Sequence, residues 1–460
     1  MSRSLVRELV RLGWPVLIAQ LAVMANGVID TVMAGRYGTL DLAAVGIGSS
    51  IYFSVFVALM GVLLALTPLV AHLYGAGRHS DIGEELRQGA WLAVALTLIS
   101  IALFAHPEPF LALARLAPDL ELKVRAYLRV LAWSVPASLL FRVFYSFSTA
   151  ISRPRTVMAL TLIGLALKVP LNWVFMYGNL GAPQLGSTGC AVATALISWI
   201  LFGLAWSWCR FEPGYRSYGV FARWSWPDTK ALGRILALGL PIGATFFIDV
   251  TGFTFMALFI ARLGALYSAA HQIAANLAAI CFMLPLALGN AASVVVGQSL
   301  GAHLHARARA AGLLGLALAL ACALVVGAGL YLFADRIAGL YSADTEVRGV
   351  AASLIAFVAV YHLFDAVQAV AVNVLRGYKR AVVPMLIYGL ALWGVGLGGG
   401  YTLGLTSVDL AWLGLHPPLG APGFWLAAIA SLVLASSLVT AYFLRVSRVA
   451  PARPVSGRAD

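Results

Sequence analysis

The sequence predicts an all-α integral membrane protein, with twelve transmembrane helices in two pseudo-symmetric six-helix lobes. Three observations predict it. Of 460 residues, 61% are hydrophobic and only 11% are charged, whereas a soluble globular chain carries about 25% charged residues. The apolar residues come in continuous runs long enough to cross a hydrocarbon layer of roughly 30 Å as helices, unlike the alternating strands of a membrane barrel. Finally, short motifs return at a constant spacing of 226 residues.

The first run, 13–35, follows Arg3, Arg7 and Arg11 in the manner of a signal peptide. It continues too far for one and reaches Asp30, so it is expected to stay as the first span. The next five have cores at 45–75, 88–107, 126–151, 156–178 and 188–210. A polar stretch near 211–231, flanked by Arg210 and containing Arg216, Arg223 and Lys230, separates them from six more at 232–261, 268–300, 308–334, 348–376, 382–405 and 421–445. The expected division is a first lobe at 1–211, a linker at 212–231, a second lobe at 232–446 and a tail at 447–460. Pro15, Pro68, Pro136, Pro241, Pro285 and Pro384 lie inside spans and are expected to kink them, which bilayers tolerate when neighbours satisfy the freed backbone groups.

Net charge is +13, but the basic residues stand between apolar runs and read as topology signals, with no nucleic acid implied. With the N-terminus inside, inner segments hold 21 of the 31 Lys and Arg and outer loops hold 8. Both termini are therefore expected in the cytoplasm, and the chain in a plasma (bacterial inner) membrane. Arg376, Lys379 and Arg380 belong to the inner set; Lys123, Arg125 and Arg129 to the outer.

The repeat supports two lobes. LGWP at Leu12 returns as LGLP at Leu238; Arg36 and Gly38 match Arg262 and Gly264; Gly75-Ala76 matches Gly301-Ala302. LGSTG at Leu185 pairs with LGAPG at Leu419 at a spacing of 234, which implies an insertion in the last outer loop around 406–416. Six spans per copy means both copies enter from one side, so the repeats are parallel about an axis along the membrane normal.

Of 18 acidic residues, fifteen fall at span ends or in loops; Asp30, Asp249 and Asp365 lie inside the first, seventh and tenth spans. A carboxyl at mid-bilayer costs about 2.5–3.5 kcal/mol even on the lenient insertion scale, so each marks an ion or proton site or locks helices together. Asn26 lies one turn before Asp30, and Tyr361 and Gln368 share the face of Asp365. Phe246 and Phe253 flank Asp249 on its face, an aromatic frame suited to a flat cation. Met33 and Met256 are further candidates to touch cargo, Met256 standing at the repeat position of Asp30. Asn172 and Lys168 are polar at depth; Lys168 either neutralises an acid or snorkels.

Cys190, Cys209, Cys281 and Cys322 are scattered without pairing, and His72, His271 and His362 lack metal spacing. There is no GxxxxGK[ST], HExxH or GxSxG. The expectation is therefore a carrier that is not an enzyme, needs no cofactor or metal, runs on an ion gradient, and works as a monomer.

Five stretches carry a family resemblance: VIDTVMAGRYGTLDLAAVGIGSSIY at 28–52, GVLLALTPLVAHLYGAGR at 61–78, PLNWVFMYG at 170–178, ALYSAAHQIAANL at 265–277 and DAVQAVAVNVLRGYK at 365–379. Across nearly the whole chain it resembles the multidrug and toxic compound extrusion (MATE) family, in its NorM-like branch. The resemblance implies two six-helix lobes opening alternately and export of amphipathic, often cationic drugs in exchange for Na⁺ or H⁺. It places the family's first-lobe acid on Asp30, its span-ten acid on Asp365 and the associated Tyr on Tyr361. The span-seven acid, usually Glu, falls on Asp249, one methylene or roughly 1.5 Å shorter.

The expected mechanism is competition between ion and cationic cargo for Asp249 and Asp365, with Asp30 a proton-linked latch on the Pro15 helix. Oxygens from Asp249, Asp365 and Tyr361 favour Na⁺ in the second lobe. The alternatives are a lipid-linked precursor flippase, expected to have more spans and a cationic cavity, and an intramembrane enzyme, which would need a nucleophile or His/acid cluster at one membrane face.

Overall fold

The computed structural model describes residues 2–108, 111, 116–407 and 418–448. Its regular elements among these residues are all helices, and eleven of them are each long and apolar enough to cross a membrane. They are α1 Ser2–Tyr37, α2 Thr39–Gly75, α3 His79–Ala105, α5 Pro154–Tyr177, α6 Ser187–Phe211, α7 Thr229–Ala261, α8 Ala265–Gly301, α9 His305–Leu332, α10 Thr345–Gly377, α11 Val382–Leu405 and α12 Ala421–Arg448. The twelfth, α4, is a pair of helices, Pro118–Ala132 and Val135–Ala150, bent by 46°. The insertion expected around 406–416 and the tail at 447–460 lie mostly outside the described residues.

Helix breaks follow proline chemistry. A proline clashes with the carbonyl four residues earlier and removes its donor. The turn at Leu64-Ala65 inside α2 precedes Pro68, and the turn at Trp133-Ser134 inside α4 precedes Pro136. Pro15, Pro241 and Pro285 stay within continuous helix instead, and Pro384 falls in the first turn of α11, where no intrahelical donor is lost. The middle of α11, Leu390–Gly398, is a π-helix, in a run where Gly394, Gly396 and Gly398 leave the backbone little to resist rewinding. Hydrophobic patterning alone does not foretell it.

Two charge assignments change. The fourth helix begins at Pro118, eight residues before the expected core, so Lys123, Arg125 and Arg129 ride on a helix rather than a loop. Arg376 is not part of an inner loop: it lies in the last turn of α10 and is 6% exposed. The linker is ordered against the first half. Arg87 of α3 donates to the carbonyls of Gly219 and Val220, Gln88 to that of Trp226 and the Trp91 indole to that of Ser225. Asp228 then caps α7 through the amides of Lys230 and Ala231.

Each half buries cores of its own, and the N-terminal part of each first helix packs into the other half. Leu9 and Leu12 of α1 pack into a second-half core, while Ile235 and Leu238 of α7, each 226 residues later, pack into the first-half core. Gly13 of α1 lies against Ala287 and Ala291 of α8, and its repeat mate Gly239 of α7 lies against Val62 of α2. A Cβ on Gly75 would run into the Gln298 backbone, and one on Gly301 into that of His72. Small residues thus let the two backbones meet. His72 Nε2–H donates to the Gly377 carbonyl at 2.8 Å; its repeat mate Gln298 donates to the Ala150 carbonyl at 2.7 Å and to Ser152 Oγ at 2.9 Å. Each bond joins one half's helix to the end of α10 or α4 in the other. These contacts gather at the end of the molecule where α1 begins, and there Glu8 also pairs with Arg307 at 2.8 Å.

Candidate functional site

The three deep acids have unlike surroundings. In the first half, α1 presents Asp30 to α5, where Lys168 and Asn172 stand one turn apart on one face. Lys168 Nζ lies 2.8 Å from Asp30 Oδ1, and Asn172 Nδ2 donates to the same oxygen at 2.8 Å. Lys168 also donates to Thr194 Oγ1 of α6 at 2.6 Å and is 2% exposed. Of the two roles open to Lys168, neutralising an acid is the one the structure adopts; it does not snorkel. Asn26 turns away: its amide nitrogen donates to Ala22 of its own helix, and its Oδ1 is buried without a partner. Met33 stands beside the pair, its sulfur 3.7 Å from Asn172 Nδ2 and its carbonyl accepting from Tyr177.

In the second half, α7 and α10 bring Asp249 and Asp365 within electrostatic reach of each other. Asp249 Oδ1 accepts from Tyr388 Oη of α11 at 2.6 Å. Asp365 is 5% exposed. Neither acid pairs with a cation among the described residues. Tyr361, one turn before Asp365, is buried between Phe253 and Trp425, with ring centroids at 6.3 and 5.6 Å, edge-on to both. A cavity of about 40 Å³ opens beside Asp249, lined by Phe246, Gln368, Asn373, Arg376 and Tyr388 among others. That is room for an ion or a few waters. Met256 is packed in the second-half core, away from that cavity, because its position on α7 faces inward one turn beyond Phe253.

This arrangement suits a small monovalent cation or a proton. A carboxyl out of water needs a positive partner or a proton, and the Tyr388 phenol and the Gln368 amide stand at the same cavity as Asp249. Among the described residues no three His, Cys, Asp or Glu side chains converge as a metal site would require.

Sequence reasoning missed four participants. Tyr388 is an ordinary span tyrosine until the fold turns it to Asp249. Asp41 counted as a span-end acid, yet it is buried, held by Lys123 at 2.7 Å and by the Ser187 amide at 2.8 Å; its place in the first turn of α2 gave no hint of this. Arg376 and Asn373 carried a signal, since they continue down α10 from Asp365 and Gln368 at helical spacing.

A family profile described as MatE matches residues 15–174 and 241–402, once in each half. The chain belongs to the MatE family. A protein named "Probable multidrug resistance protein NorM" from Aromatoleum aromaticum is 43% identical to this MatE chain, over 94% of it and 92% of the relative. "Multidrug resistance protein PmpM" from Pseudomonas aeruginosa is 39% identical over 97% and 92%. Among solved structures, the Vibrio cholerae MATE transporter VcmN in its bent form superposes with a TM-score of 0.83 at 20% identity, covering 97% of this chain and 98% of that one. An outward-facing MATE transporter superposes at 0.85 with 19% identity, over 96% and 95%. These last two share the fold. The family is one of transporters, so the chain is a carrier rather than an enzyme, and the intramembrane-enzyme alternative is set aside.

Proposed function

We propose that this MatE protein exports amphipathic, cationic compounds across a bacterial inner membrane in exchange for Na⁺ or H⁺, with Asp249 and Asp365 as the coupling groups. The observation that carries the reading is a pair of deep acids, Asp365 buried and Asp249 half-buried at a cavity, neither with a cationic partner among the described residues. Such a pair is stable only when something positive joins it, and an ion and a cationic cargo compete for that place. The relatives' multidrug resistance names point the same way.

The Asp30–Lys168 pair supports placing the coupling in the second half. A proton delivered to Asp30 would strand Lys168 as a buried charge, which costs several kcal/mol. In this reading Asp30 therefore acts as a latch between α1 and α5, while exchange of charge belongs to Asp249 and Asp365. The lobes, 1–211 and 232–446 with both termini cytoplasmic, rock about the glycine-lined contact. The protein works as a monomer. Coupling of this kind requires the ion to bind the two conformations unequally, and an acid pair whose surroundings repack as the lobes move meets that requirement. Oxygen ligands from Asp249, Asp365, Tyr361, Tyr388 and Gln368 would favour Na⁺.

The deciding experiment is efflux of a cationic dye from proteoliposomes, driven separately by a sodium gradient and a pH gradient. Uphill efflux under the sodium gradient is expected. Efflux under the pH gradient alone would reassign the ion, and no uphill movement under either would overturn the reading.

A further inference from the structure

Arg376 is the group that the export reading leaves unused. It follows Asp365 by eleven residues on α10, about 16 Å along the helix axis. Its Nη1 donates to Asn373 Oδ1 at 3.2 Å, and its guanidinium carbon lies 5.4 Å from the Phe246 ring centroid. Its Nε is buried without an acceptor. No acid pairs with it among the described residues. An arginine this deeply buried normally has an anionic partner; here one neutral amide and one ring face take that place. Arg376 also lines the same cavity as Asp249, Gln368 and Asn373. One wall of the cavity is acidic and another carries an uncompensated guanidinium, so the space is dipolar.

A lining of that kind penalises a cargo that is only cationic, because Arg376 repels it. A molecule with both an amine and a carboxylate gains at both ends. At about 40 Å³ the cavity in this conformation takes no more than one small charged group, well short of the several hundred Å³ that a whole drug-sized molecule fills. We propose that Arg376, with Asn373 and Gln368, is the anion-accepting end of the second-half site and selects cargo carrying a carboxylate together with a cationic amine. The inference rests on the export reading. A free halide would satisfy the same charge, so the test separates the two sources.

The experiment uses two probes on one fluorescent aromatic amine skeleton, a free carboxylic acid and its methyl ester, with the full-length protein in proteoliposomes. The wild type is expected to show the lower KM for the acid. Arg376→Gln should raise the KM of the acid at least tenfold, the scale of one charge-assisted hydrogen bond, with kcat little changed and the ester unaffected or improved. Arg376→Lys, a point charge without the planar fork, should fall between. Should Arg376→Gln fail to fold, Asn373→Ala, which frees the guanidinium from its tether, should produce a smaller shift confined to the acid. Equal handling of acid and ester by the wild type, or equal shifts of both in the variants, would overturn the assignment. Replacing chloride by a sulfonate too bulky for the cavity should leave ester efflux unchanged; a chloride requirement would give the site to a free halide. If the wild type moves neither probe uphill, the export reading fails instead. Equilibrium binding of the two probes to purified wild type and Arg376→Gln then still decides the role of Arg376.

Discussion

The first half and the second half solve the same problem, an acid inside a membrane helix, in opposite ways. Asp30 meets a lysine from a neighbouring helix, an amide and, through that lysine, a hydroxyl. Asp249 meets a tyrosine hydroxyl, and neither it nor Asp365 meets a cation among the described residues. A carboxylate with a tethered cation is complete and has no need of an exchangeable one. A carboxylate pair without one is incomplete, and in the proposed exchange the missing charge comes from solution. Two halves built on one repeat have thus diverged in chemistry while keeping their frame, and Met256 standing where the repeat would place a second Asp30 marks the divergence.

The comparison can be broken most severely at Lys168. Lys168→Met should destabilise the protein by about 3–5 kcal/mol, because it strands Asp30 as an uncompensated charge. Lys168→Met combined with Asp30→Asn should recover most of that loss. Thermal unfolding of the two single variants and the double would measure it as a coupling energy, and simple additivity would mean that the pair is not an ion pair in the working protein. Next in size, Asp365→Asn should remove gradient-driven efflux by roughly a hundredfold, about 2.7 kcal/mol, while leaving thermal stability equal or higher, since it neutralises half of a repelling pair. Wild-type efflux in that variant would dismiss the second half as the coupling site. Tyr388→Phe takes away the hydroxyl that donates to Asp249 and should weaken apparent ion affinity about fivefold, near 1 kcal/mol, read as the ion concentration at half-maximal efflux.

The smallest effects should arise where the halves are alike. His72→Ala and Gln298→Ala each remove bonds between the halves at the end where α1 begins. Each should weaken the contact between the halves by about 1 kcal/mol and raise the labelling rate of a cysteine placed beside Gly13 by a small factor. Equal effects would show that the second bond of Gln298 adds little; a larger effect at Gln298 would show that it counts.

Much of this was legible before any fold was known. Twelve spans, the 226-residue register and the three deep acids follow from composition and spacing, and the register reappears in space as Leu9 with Ile235, Gly13 with Gly239 and His72 with Gln298. The site was only partly legible. Tyr361 and Gln368 share the face of Asp365 as helical periodicity requires, but Asn26, chosen by the same rule for Asp30, bonds its own backbone instead. Same-face spacing says which side chains can meet along one helix; it does not say whether a neighbouring helix offers something better.

Hydropathy and repetition along the chain were enough to set the number of helices and the repeat of one half in the other, because these depend on transfer energies and on the rise per residue. Whether a given carboxyl is satisfied depends on how neighbouring helices are turned and how closely they approach. Lys168 meeting Asp30, Tyr388 meeting Asp249 and Arg376 left without an acid are all of that kind. Hydrogen bonds and ion pairs act over a few ångströms between segments that lie more than a hundred residues apart, so packing alone settles them.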